Sequence, residues 1–105
     1  MILLVIDRPE AWERFVERVQ DLPRDKRGYV LLVRDEGVTR CLGCEPGLFP
    51  HFHQFVLDGG RAAIGLNSLK RFGIPETRPP ELFERVDEEA LEKELLSRGY
   101  RRERL

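Results

Sequence analysis

MILLVIDRPEAWERFVERVQDLPRDKRGYVLLV, residues 1–33, sets two uninterrupted apolar runs on either side of a charged, patterned segment. Met1–Ile6 contains no polar residue, which is expected of a strand covered on both faces, since a strand with one wet face alternates. Asp7 follows as the expected N-cap of a helix, with Pro9 in a first turn where a missing N–H costs nothing. Trp12, Phe15, Val16 and Val19 then recur at i, i+3, i+4 and i+7, while Glu13, Arg14, Glu17 and Arg18 cover the opposite side. Pro23 stops that helix, and Tyr29–Val33 supplies a second apolar strand.

Working outward, Asp35-Glu36-Gly37 reads as a turn and Val38–Leu42 as a third strand folding back on the second. Read as a strand, Leu48–Leu57 would put His51, His53 and Phe55 on one face and Phe52, Gln54 and Val56 on the other, separating nothing by polarity. Read as a helix opened by Pro50, it gathers Phe52, Phe55 and Val56 on one stripe, and the helix is the better fit. Asp58-Gly59-Gly60 breaks it, and Ala62–Leu66 is a further strand. Asn67 is the expected cap of a short helix carrying Leu69 and Phe72, with Gly73 at its C′ position. Pro75, Pro79 and Pro80 mark a rigid loop, and Leu82, Phe83 and Val86 read as a helical turn packed on the sheet. Asp87 caps a last helix over residues 88–98, which Gly99 ends; acid at its start and Arg98 at its end complement the helix dipole. Tyr100–Leu105 reads as a solvated basic terminus. Strands alternating with helices predict one three-layer α/β domain over residues 1–105, with a mostly parallel sheet of about four strands flanked by helices.

Composition bounds the function. Apolar residues make up 41% and charged residues 35% of the 105 positions, the balance of a globular chain with a core rather than of a disordered one. A net charge of −1 supplies no global pull toward nucleic acid or an anionic membrane, so neither is expected as a partner. Met1–Ile6 is too short to cross a bilayer, and it lacks the basic region and cleavage site of a secretory signal. A cytoplasmic location is therefore expected, where two cysteines stay reduced. Arg greatly outnumbers Lys, and Gln, Asn and Met are scarce, a composition suited to a heat-stable surface laced with Arg–Glu pairs.

Both cysteines and both histidines fall within residues 41–53, CLGCEPGLFPHFH. Cys41 and Cys44 have the C-x-x-C spacing that points two thiolates at one zinc ion, with His51 as a third ligand. Against a full tetrahedral set, His51 and His53 point about 200° apart on a helix, whereas paired histidine ligands stand roughly three to five residues apart. The same pair suits thiol chemistry, in which one sulfur resolves a sulfenate or persulfide on the other and His51 supplies a proton or a positive charge. The plain alternative packs Cys41 as a small hydrophobe and leaves both imidazoles on a helix surface. The remaining motifs are structural. Gly59-Gly60 has no lysine or helix start behind it to cradle phosphate, and no Gly-x-Ser-x-Gly elbow supports a hydrolase. Asn67-Ser68 follows a strand at the edge where α/β sheets bind ligands, but reads first as helix capping.

Residues 49–74 resemble part of the DsrE/TusD-like sulfur-relay family. An amphipathic helix (Phe52–Gly60), a short strand (Arg61–Leu66) and a helix ending Leu69-Lys70-Arg71-Phe72-Gly73 follow that family's order and spacing, and the first two strands are compatible with it. The resemblance implies an α/β subunit of a sulfur-transfer assembly, self-associating or bound to a protein partner. The sulfur-carrying members have a cysteine shortly after the strand matching Ala62–Leu66, and this chain has Gly65 about there. What is implied is thus an accessory subunit without enzymatic activity of its own. Its candidate thiol site is Cys41, Cys44 and His51, and it needs no cofactor. The alternatives are a zinc-stabilised binding module on the same three residues and an interaction protein with no site in that window.

Overall fold

The computed structural model describes residues 1–40 and 45–105. Among the described residues five strands form one sheet: β1 (Ile2–Ile6), β2 (Tyr29–Val33), β3 (Arg61–Gly65), β4 (Glu84–Val86) and β5 (Arg101–Arg104). Their order is β4-β3-β2-β1-β5 and every pairing is parallel. Four helices connect them: α1 (Ala11–Val19), α2 (Phe49–Leu57), α3 (Leu66–Arg71) and α4 (Glu88–Ser97), with a 3-10 helix over Asp35–Arg40. None is long and apolar enough to cross a membrane among the described residues.

The layering follows from strand order. Crossovers between parallel strands are right-handed, so stepping from β1 through β4 in one direction leaves all the intervening helices on one face. The return from β4 across the sheet to β5 reverses the step and puts α4 on the other. Side chains obey the two-residue period of a strand: Leu4, Ile6, Leu31, Val33, Ala62 and Ile64 pack with Trp12, Phe15, Phe52, Phe55 and Leu69, while Leu3, Val5, Val30, Leu32 and Ala63 pack with Leu91 and Leu95. Leu3 through Ile6 have no exposed surface at all. The three-layer α/β domain expected from the apolar runs is the one observed, with five strands in place of about four.

The expected third strand, folding back on the second, fails because the sheet is wholly parallel and leaves no room for a hairpin. Residues 38–40 belong to the 3-10 helix and not to a third strand; Leu42 of that expected strand lies outside the described residues. Asp35 takes a positive φ of 52°, turning the chain off β2, and Val38 is then buried against the aromatic cluster. The indole Nε1 of Trp12 donates to the Gly37 carbonyl at 2.9 Å inside the core. Trp12→Phe is expected to cost about 2 kcal/mol, because a buried acceptor loses its donor; urea unfolding should show the midpoint falling at unchanged slope.

Glu84–Val86 is strand β4, not a helical turn: Phe83 fills the core while the next residues pair with Ala63–Gly65. The Arg85 guanidinium donates to the carbonyls of Glu76, Pro79, Pro80 and Phe83 and holds the proline loop in shape. The basic terminus is strand β5. Three of the charges that make it look solvated have partners on the body: Arg102 with Glu92, Glu103 with Arg18 at 2.6 Å and Arg104 with Asp7 at 2.7 Å. Charge along an edge strand also blunts it against pairing with other chains. Asp7 consequently serves β5 and does not cap α1, whose cap position is Glu10 without a side-chain bond.

Candidate functional site

The carboxyl edge of the sheet gathers polar side chains from three successive connections. β3 ends at Gly65 in extended conformation, and α3 begins at once with its first backbone N–H groups unpaired within the helix. Asn67 does not cap it. The cap comes from another element: the Glu88 carboxylate, from the first turn of α4, accepts from the Asn67 backbone N–H at 3.1 Å, Asn67 Nδ2 at 2.7 Å, the Ser68 backbone N–H at 2.8 Å and Ser68 Oγ at 2.5 Å. Glu88 is 2% exposed. Burial opposes its ionisation, but the Ser68 hydroxyl, backbone N–H groups and the Asn67 amide outweigh that and hold the carboxyl below its ordinary value of 4.5.

Gly65 makes this possible. A Cβ there would lie 2.0 Å from Glu88 Oε2, so any other residue at this position displaces the carboxylate. Ser68 extends the network, its Oγ donating to Glu88 and accepting from the Asp35 backbone N–H at 2.8 Å. The left-handed turn after β2 is therefore tied to α3, and through it to α4. Beside it Arg34, mostly buried, pairs with Asp35 at 3.1 Å, Glu89 and Glu92. Burial disfavours its charge, and Glu89 with the other two carboxylates more than restores it. The crevice between α3 and α4, about 180 Å³, thus has Arg34 spent on its own acids, and Arg71, largely exposed, stands 4.0 Å from Asp35. The crevice is built to hold three connections together.

The residues singled out in the sequence are arranged differently. His51 lies exposed on the first turn of α2, and His53, also exposed, stacks on Phe49 with ring centroids 5.9 Å apart. Cys41 and Cys44 lie outside the described residues. The residues on either side of them are tied: Arg40 donates to both Glu45 carboxylate oxygens, at 3.3 and 3.1 Å, and to Glu13 of α1 at 2.7 Å. Glu13, then Glu45, holds the Arg40 guanidinium in its charged form. Among the described residues no three His, Cys, Asp or Glu side chains gather where a metal ion could sit. Sequence reasoning located Asn67-Ser68 at the ligand-binding edge but missed Glu88, which reads as one of several acids opening a helix; the signal for it is a glycine ending a strand ahead of an uncapped helix.

No family model and no curated protein matches the chain. Among solved structures it is similar to that of a protein of unknown function, MTH1491 from Methanobacterium thermoautotrophicum. The likeness covers 99% of this chain and 97% of that one, with a TM-score of 0.78 and 16% identity. At that identity the likeness concerns the fold alone.

Proposed function

We propose that this protein is a cytoplasmic, non-catalytic accessory subunit in thiol or sulfur handling, as its resemblance to the DsrE/TusD-like family implies, acting as an oligomer or with a protein partner. The observation that carries this reading is the Gly65–Glu88 contact. About where carriers of that family have their cysteine, at the end of β3, this chain has a glycine covered by a carboxylate that accepts from the Asn67 and Ser68 N–H groups and the Ser68 hydroxyl. A side chain able to carry sulfur has no room there.

The chain's own thiols, Cys41 and Cys44, are then its candidate point of contact with sulfur chemistry, with His51 the nearest titratable ring in sequence. The Arg40–Glu45 pair supports this by bringing the two flanks of the C-x-x-C segment to one spot beside α1. Near neutral pH, iodoacetamide is expected to modify at least one of the two in the folded protein, read as intact mass. Resistance of both until denaturation would overturn the reading. A stoichiometric zinc mass in native spectra, removed by chelation with a fall in melting temperature, would replace it with a zinc-stabilised module.

A further inference from the structure

α3 and the loop behind it form a groove of about 480 Å³, within the size range of small-molecule sites. Its place in the topology is one where α/β sheets bind ligands. The connection leaving β3 goes to α3 on one face and the connection leaving β4 goes to α4 on the other, so the groove adjoins the point where winding reverses. Its apolar lining is Leu66, Ile74 and Pro75, with the fully buried Leu69 packed beneath them, and its polar lining is Asn67, Lys70 and Glu76.

The walls are rigid. Gly73, at a φ of +68°, lets the chain reverse after α3. The Ile74 N–H returns to the Leu69 carbonyl at 2.8 Å and the Gly73 N–H to the Lys70 carbonyl at 3.2 Å, the paired bonds of a Schellman closure. The far side is pinned where Arg85 takes the Glu76 carbonyl at 2.9 Å. Asn67 is held by its amide on Glu88. Ordering costs on binding are therefore low. Among the described residues neither the Lys70 ammonium nor the Glu76 carboxylate has an ion-pair partner, in a chain where most arginines are paired.

We propose that this groove binds a small zwitterion with an apolar body, of the class of a free aliphatic α-amino acid. The carboxylate pairs with Lys70, the ammonium pairs with Glu76, and the side chain lies on Leu66, Ile74 and Pro75. An anion alone would meet Glu76 unpaired, and an amine alone would meet Lys70. The site is independent of the thiol reading, because it uses no residue of the 41–53 window.

The test is titration of the full chain with L-leucine, followed by amide NMR shifts. 4-Methylpentanoate, which lacks the ammonium, and isopentylamine, which lacks the carboxylate, serve as controls. Leucine is expected to shift residues 66–70 and 74–76 saturably and to bind at least tenfold tighter than either control, each of which forfeits one charge-assisted contact. Lys70→Met and Glu76→Gln, both at exposed positions, should leave the unfolding midpoint in place and weaken leucine about tenfold or more. Absence of saturable shifts up to the solubility of leucine overturns the proposal. So does 4-methylpentanoate binding as tightly as leucine with Glu76→Gln silent, which would mark an organic-anion site.

Discussion

Glu88→Ala is expected to destabilise the protein by about 3 kcal/mol, because it strips buried partners from the Ser68 hydroxyl and from two backbone N–H groups at once. For a domain whose whole stability is on the order of 5–15 kcal/mol, that is a large share. Glu88→Gln keeps the shape and loses the charge, so part of the loss should persist. The pH dependence separates the two contributions. The folded state holds Glu88 below 4.5, so its stabilisation is present in full above the ordinary glutamate value and is lost as pH falls through the folded value. Denaturation curves of wild type and Glu88→Gln should therefore lie furthest apart near neutrality and converge in acid. A difference that stays constant down to low pH would show that the carboxylate's charge contributes nothing. Gly65→Ala should reproduce the Glu88→Ala loss, since a methyl group 2.0 Å from Oε2 expels the same carboxylate.

Phe52→Ala should be at least as damaging, about 3–5 kcal/mol, and its melting temperature should drop on the order of 20 °C. Phe52 is wholly buried and its ring lies 5.1 Å from Trp12, 4.4 Å from Phe15 and 6.0 Å from Phe83 by centroid. It thus joins α1, α2 and the approach to β4 in a single aromatic cluster. Removing it opens a cavity that the three surrounding rings, two on α1 and one ahead of β4, cannot all close. Leu57→Ala on the same helix, at a position 65% exposed, should change stability by less than about 0.5 kcal/mol. Comparable melting curves for the two variants would contradict this account of the core.

Much of this was legible in the residues. The helix at 49–57 follows from its stripe of Phe52, Phe55 and Val56, and α4 from its Asp87 cap, whose side chain accepts from the Ala90 N–H at 3.1 Å. The two strands that the residues did not show share a cause. β4 and β5 are the two edges of the sheet, short and charged, and nothing in Glu84-Arg85-Val86 or Arg101-Arg102-Glu103-Arg104 carries strand periodicity. Their conformation comes from pairing with Ala63–Gly65 and Ile2–Val5.

By itself the sequence determined the layers, because burying a continuous apolar run such as Leu3–Ile6 requires cover on both sides and only helices on two faces supply it. Tertiary structure alone decided what sits on the carboxyl edge. A helix start can be capped by any carboxylate the fold delivers, and the one that reaches Ser68 belongs to Glu88, twenty residues further along the chain. No local pattern reports such a meeting, because its free energy comes from desolvation and hydrogen bonds that exist only once β3, β4 and their helices have packed.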